Sequence, residues 1–267
     1  MIAIVMFFAA LGLLLIGIPV AFAFGAVAMM FAFFTPDVGF EVFNILPFRI
    51  YGIMSNSTLM AVPLFIMMGL ILEKSGMAEK LLISMDSLFK SVRGGLGVSV
   101  VLVGAILAAT TGIVSASVVM MSVIALPLML KAGYNKSLAS GTITLGQIIP
   151  PSIILIVLGD VMSVSVGELF MGAVVPGLVL VGLYIVYILT RAYIRKEDAP
   201  ALVSEEKSSL KELLFAILPP LFLMVTVLGS IFAGIASPTE SAAFGVVGGF
   251  ILAAINRTLS MKMIKYA

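Results

Sequence analysis

"TTGIVSASVV", Thr110 to Val119, lies within a run of 37 residues, Gly94 to Leu130, that carries no charged side chain. A membrane helix is most apolar at its centre, yet this stretch places Gly112, Ser115 and Ser117 there. The bulk composition establishes that a membrane is involved. The chain is 62% apolar and 10% charged, with a mean hydropathy of +1.27, whereas about a quarter of the residues of a soluble domain are charged. A chain of 267 residues cannot bury that much apolar surface in a water-soluble globule.

The charges that do occur punctuate apolar spans near 2 to 17, 19 to 35, 58 to 73, 137 to 163, 168 to 190, 213 to 235 and 238 to 256. About 20 apolar residues cross the hydrocarbon of a bilayer. The first 36 residues are uncharged and lack a basic start, which argues against a cleavable signal peptide. Between 77 and 92, apolar Met77, Leu81, Leu82, Met85, Leu88, Phe89 and Val92 recur at helical spacing opposite Glu79, Lys80, Asp86 and Lys90. This pattern predicts an amphipathic helix on the membrane surface.

Positive residues orient the spans. Lys74, Lys80, Lys90 and Arg93 precede the uncharged run, Lys131 and Lys136 follow it, and Arg191 leads into the hydrophilic linker 195–212, which holds Arg195, Lys196, Lys207 and Lys211. By the positive-inside rule all three regions face the cytoplasm. The loop Thr35 to Ser57 then lies outside, and the N-terminus is periplasmic.

Both ends of the uncharged run are therefore on one face of the membrane. Two crossings and a turn need more than about 40 residues. Allowing roughly six for a turn leaves about 15 per arm, only some 23 Å of helix. The run 95–130 reads as a re-entrant hairpin whose tip stops inside the bilayer, where freed backbone groups must be satisfied by protein, water or ions. Gly112 permits the turn, and Ser115 and Ser117 supply hydroxyl oxygens. A small-residue surface for helix packing accounts equally for these residues.

A second interruption follows in "GQIIPPSIILIVLGD", Gly146 to Asp160. Pro150 and Pro151 remove two helical donors and push the preceding residue out of the α region, which predicts a broken helix over 137–163. A kink without a ligand is the bland alternative. A re-entrant tip beside a broken helix is, however, how many secondary transporters build mid-membrane sites. Asp160 fits an ion ligand, a proton carrier or an interfacial position. "SVGE", Ser165 to Glu168, and "SPTE", Ser237 to Glu240, fit capping boxes, and Asn56 and Ser57 look like an N-cap before an apolar span.

"GIPVAFAFGAV", Gly17 to Val27, returns as "GIASPTESAAFGVV", Gly234 to Val247, an echo that suggests a structural repeat. Five crossings precede the linker, so the second copy enters from the opposite side and the repeats are inverted. The organisation expected is a first repeat over 1–194, the cytoplasmic linker 195–212, and the first two spans of an incomplete second repeat over 213–267. By this arithmetic a complete protein runs to about 430 residues.

Other chemistry is excluded by residue type. The chain has no cysteine, histidine or tryptophan, which removes disulfides, imidazole ligands and His-activated nucleophiles. A net charge of +2 spread among loops gives no footprint for nucleic acid. No enzyme is expected.

"GIPVAFAFG", "NSTLMAVPLFIMMGLILEKSG", "GIVSASVVMMSVIALPLMLKAGYNKSLASG", "GQIIPPSIILIVLGD" and "SPTESAAFG" together resemble the large membrane subunit of tripartite ATP-independent periplasmic (TRAP) transporters. The resemblance implies an all-α integral membrane protein, an inverted-repeat elevator-type transporter of the bacterial or archaeal inner membrane. It also implies coupling to a sodium gradient, a small four-helix membrane subunit, and a periplasmic binding protein that delivers an organic acid anion. Its first sodium site falls on Gly112, Ser115, Ser117, Gly146, Pro150 and Ser152, with Ser115 and Ser117 also receiving the anion. Two other readings stay open: an anion transporter of the same architecture that needs no binding protein, and a structural membrane subunit that transports nothing.

Overall fold

The computed structural model describes residues 2–34, 41–89, 91–112, 114–145, 151–201 and 210–259. Every regular element among them is helical, and the chain divides into two units, Met1–Asn56 and Ser57–Ala267.

The first unit holds α1 (Ile2–Leu15), α2 (Val20–Phe34) and α3 (Glu41–Met54). Buried Ala10, Ala23 and Val27 sit where small side chains let α1 and α2 approach closely. Phe7, Phe8, Phe22 and Phe34 point outward, as they should where the solvent is lipid. After α1 the amides of Gly17 and Ile18 donate to Leu14 O and Leu13 O at 3.0 and 3.2 Å, the two bonds of a Schellman exit. Helix α3 corrects the reading of Thr35 to Ser57 as a loop. Phe43, Leu46, Ile50 and Met54 repeat at helical spacing, and Pro47 is accommodated inside the helix at the loss of one hydrogen bond.

The second unit opens with a 3₁₀ turn (Thr58–Met60) and α4 (Ala61–Lys74), then α5 (Met77–Phe89), α6 (Gly95–Thr111), α7 (Val114–Lys131), α8 (Lys136–Leu145) and α9 (Ile153–Met162). It continues with α10 (Val166–Ile194), α11 (Leu210–Phe232) and α12 (Pro238–Ile255). By length and composition, among the described residues α10 and α12 each suffice alone to cross a membrane. The broken span is resolved into α8 and α9 of 10 residues each, roughly 15 Å of helix apiece.

Two cores organise this unit. One surrounds α6, whose Val98, Val100, Val101, Val103, Ala105 and Leu107 pack with Leu81, Met121, Ile143 and Ile188. A helix apolar on every side is stable only when buried on every side. The other surrounds α4, where Phe65, Met68, Ile71 and Leu72 meet Ile156, Phe170, Val227 and Ala242. Helix α12 comes close to α4 through Gly245 and Gly249, a Gly-x-x-x-Gly pair. A Cβ on Gly249 would stand 3.4 Å from Ile71 Cγ2, and one on Gly245 would collide with Met68 Sδ.

The feet of the α6–α7 hairpin stand together. The Gly94 amide donates to Ala199 O at 3.1 Å, and the Asn135 amide to Asp198 O at 2.9 Å, so adjacent residues of the chain after α10 hold both ends. The Gly97 amide donates to Tyr134 Oη at 3.3 Å. Burial pushes the Tyr134 hydroxyl up to about 12, since a buried phenolate lacks solvent. Gly94 adopts φ +82° with its Cβ position 3.0 Å from Ala192 Cβ, so the foot lies flat on α10. The helices end and restart at Thr111 and Val114. The turn is shorter than the roughly six residues allowed for it, and the arms lengthen to 17 and 18 residues.

Candidate functional site at the hairpin tip

Helix α6 closes on Gly112, which adopts φ +65°, a conformation that costs an L-residue roughly 1–2 kcal/mol. Its amide donates to Ala108 O at 3.1 Å, and its carbonyl accepts from the Ile153 amide at 3.4 Å. A Cβ at Gly112 would lie 3.5 Å from Pro151 O, 3.6 Å from Ile153 Cγ1 and 3.9 Å from Phe65 Cβ. The tip of the hairpin, the restart of the broken helix and the first turns of α4 therefore meet. Behind them Phe65 and Phe170 pack edge to face at 6.5 Å.

Ser152 is the N-cap of α9 in extended conformation, with φ −124° and ψ 129°, and its side chain makes no capping hydrogen bond. Its carbonyl accepts from Leu155 and Ile156 at 3.1 and 3.2 Å. The half-buried hydroxyl is thus not spent on the helix start. Ser117 is buried near the start of α7. Ser115 belongs to the backbone of the same helix, and its side chain lies outside the described residues, as do Gly146 and Pro150 entirely. Of the six sequence-derived positions, the structure brings Gly112 to the peptide that follows Ser152. Thr110, two residues before Gly112, donates to Leu107 O at 2.9 Å and is committed to its own helix.

The helix ends around this junction are of opposite polarity. The C-terminal end of α6 presents carbonyls, and α7 and α9 begin at Val114 and Ile153, where first-turn N–H groups have no partner within their own helix. Carbonyl ends attract cations and N–H ends attract anions. The Gly112 carbonyl retains a second lone pair beyond its bond to Ile153. Among the described residues, no cluster of acidic side chains suited to a metal ion is present.

A third helix start joins from sequence positions far away. Thr239 Oγ1 donates to Ser57 O at 2.6 Å across 182 positions. The capping box expected at the head of α12 is present: Ser237 N donates to Glu240 Oε2 at 2.8 Å and Glu240 N to Ser237 Oγ at 3.3 Å. The cap expected at Asn56 and Ser57 is not formed by the Ser57 side chain. Ser57 has helical φ −63° and ψ −32°, whereas a capping side chain works from an extended backbone. Nothing in the local sequence announces the Thr239 contact. The Gly-x-x-x-Gly pair of α12 was a legible sign that α12 packs tightly.

The model of the family described as "Tripartite ATP-independent periplasmic transporter, DctM component" matches residues 5–267. The C4-dicarboxylate TRAP transporter large permease protein of Vibrio cholerae is 32% identical over 254 residues, covering 93% of this chain and 55% of the relative. The ectoine TRAP transporter large permease protein of Halomonas elongata is 32% identical over 249 residues, 91% of this chain and 57% of the relative. The sialic acid TRAP transporter large permease protein of Vibrio cholerae is 30% identical over 241 residues, 87% and 54%. The chain spans a little over half the length of these relatives.

Proposed function

Because the chain belongs to the tripartite ATP-independent periplasmic transporter DctM family, we propose that it serves as the large permease component of a sodium-coupled transporter for a carboxylate-bearing organic solute. C4-dicarboxylates, ectoine and sialic acids, the solutes in the relatives' names, all carry a carboxylate. The observation that carries the reading is the junction at Gly112, where a hairpin with both feet on Asp198 and Ala199 meets the restart of a broken helix.

In this reading a sodium ion is held by backbone carbonyls at the ends of α6 and α8, with hydroxyl oxygens of Ser115, Ser117 or Ser152. The ion orders the tip, and the helix starts of α7 and α9 then favour the solute carboxylate. Each ligand lowers the ordering cost of the other, so binding is mutually reinforcing. The hairpin and broken helix form the moving part of an elevator, and the two "AFG" segments mark inverted repeats. The Schellman exit at Gly17 recurs at Gly234, where the amides of Gly234 and Ile235 donate to Ile231 O and Ser230 O, both at 3.0 Å. Proline follows each exit closely, at Pro19 and Pro238. Other helices end the same way, so it is the combination with the shared sequence that supports a repeat. A small membrane subunit and a periplasmic binding protein complete the assembly, in the inner membrane with the N-terminus periplasmic.

The test is solute uptake into proteoliposomes holding the full-length protein and both partners, with and without an inward sodium gradient. Uptake that needs sodium and the binding protein is the expected result. Uptake indifferent to both overturns the proposal. Ser115→Ala with Ser117→Ala is expected to weaken the sodium dependence, and an unchanged dependence removes the site from the hairpin tip.

A further inference from the structure

Two cavities adjoin on the outer side of α11, and they differ in character. The larger, about 660 Å³, is apolar: Phe215, Leu218 and Phe222 of α11 face Gly248 and Ile251 of α12 across it. Gly248 sets its depth, since a Cβ there would run into Leu223 Cδ1. The smaller, about 360 Å³, is where α5 reaches the same groove, with Lys80, Ser84 and Asn256 at its rim. Phe215 and Pro219 line both, so the two form one channel with an apolar shaft and a polar head.

The head sits where headgroups belong. Lys80 lies in the first turn of the surface helix α5, and α11 begins and α12 ends beside it. The positive-inside rule assigns this level to the cytoplasmic leaflet. Among the described residues no acidic side chain lines either cavity, and the ammonium of Lys80 stands at the rim. The shaft offers a peptide no hydrogen-bonding partner, and a free anion would leave it unused. An amphiphile with an anionic head satisfies both parts.

We propose that the groove between α11 and α12 binds an anionic phospholipid of the cytoplasmic leaflet, its phosphate at Lys80, Ser84 and Asn256 and an acyl chain along Phe215, Leu218 and Phe222. A basic residue near an anionic leaflet is worth about a fivefold enrichment of such lipid. This site is independent of the sodium and solute chemistry at the hairpin tip.

The chain contains no tryptophan, so a single Phe222→Trp substitution makes the groove visible by fluorescence. The 267-residue chain carrying it is reconstituted in phosphatidylcholine that contains, at equal mole fraction, either dibrominated phosphatidylglycerol or dibrominated phosphatidylcholine. The expected result is stronger quenching by the brominated phosphatidylglycerol, corresponding to about fivefold enrichment, and loss of that preference when Lys80→Gln is added. Leu183→Trp, on the exposed face of α10, reports the bulk annulus and is expected to show no preference. Equal quenching by the two lipids at position 222, or a preference that survives Lys80→Gln, overturns the proposal. So does absence of quenching by either lipid, which means that protein fills the groove.

Discussion

The chain contains two proline pairs inside apolar sequence, and they have opposite fates. At the first pair the chain is non-helical at Pro151 and Ser152, between α8 (to Leu145) and α9 (from Ile153), while Pro150 lies outside the described residues. At Pro219 and Pro220 the helix is uninterrupted, since both lie inside the continuous α11. Each pair removes two backbone donors and crowds the preceding turn. What differs is the surroundings. The first pair is flanked by Gly146, Gln147 and Ser152, and the amide just past it finds the Gly112 carbonyl. The second pair is flanked by Leu218 and Leu221, and among the described residues no backbone hydrogen bond joins that stretch to another helix. Prolines weaken a membrane helix, but the break occurs where freed backbone has somewhere else to bond.

The comparison is broken most directly by healing each pair. If the proposed function holds, Pro150→Ala with Pro151→Ala in the full-length transporter with its partners is expected to lower sodium-driven uptake tenfold or more, about 1.4 kcal/mol of lost stabilisation or greater. Pro219→Ala with Pro220→Ala is expected to leave uptake within about twofold and to raise the melting temperature, because a helix-interior proline costs roughly 3 kcal/mol. Equal losses from the two double variants would mean that surroundings do not decide the outcome.

The next largest effect tests the partner of the break. Gly112 sits at φ +65° with ordinary contact distances around its Cβ position, so substitution there acts through backbone conformation. Gly112→Asn is expected to melt close to the parent, Gly112→Ala lower by about 1–2 kcal/mol, and Gly112→Val lower still. A series ordered by side-chain volume alone, with Asn below Ala, would point to crowding instead.

Smaller effects come from the hairpin feet. Tyr134→Phe removes the acceptor of the Gly97 amide and is expected to cost about 1 kcal/mol. The folded-state pKa of Tyr134 is raised, from 10.0 to about 12. Its contribution is therefore complete below pH 10.0 and is lost as pH rises towards about 12. Melting curves of the parent over that window should fall more steeply than those of Tyr134→Phe, and parallel curves would show that the hydroxyl does not titrate there.

The smallest effect is at Asp198, whose carboxylate accepts from Arg191 Nε at 2.8 Å and from Asn135 Nδ2 at 3.3 Å. The hydrogen bond from Arg191 holds its carboxyl below the ordinary value of 3.8. Its folded pKa is depressed, so the stabilisation is present above that value and fades as pH falls through the lowered one. Asp198→Asn is expected to shift the neutral-pH melting temperature only slightly, because ion pairs near solvent contribute little, Asn can still accept from Arg191, and the backbone bonds from Asn135 and Gly94 remain. A large shift would show that the side chain, rather than the peptide, holds the feet.

The hairpin and the first break were legible because their cues are local: Arg93 and Lys131 bracket the uncharged run, and Gly112 and Pro151 mark where the backbone must turn. Helix α3 was missed because Pro47, Asn44 and Arg49 interrupt a pattern that the three-dimensional chain tolerates. The proline rule that located one break is silent about why Pro219 and Pro220 leave α11 intact. The junction of Ser57 with Thr239, and the grip of Asp198 and Ala199 on the hairpin feet, join residues far apart in sequence. Such contacts leave no periodicity to read. Of the candidate site, Gly112 and the Ser152 turn were found by residue type, while Phe65, which closes the junction from α4, had the look of an ordinary core residue.

The placement of that grip has a consequence for biogenesis. The foot at Asn135 is held by a residue 63 positions later. At about 5–20 residues per second that stretch takes roughly 3–13 s to synthesise. During this interval α6 and α7, at 17 and 18 residues, are made without the stretch that later bonds to both of their feet. The feet of the hairpin are thus joined by a late-arriving clasp, and mispairing of α6 with α7 should concentrate in chains arrested before Asp198 emerges.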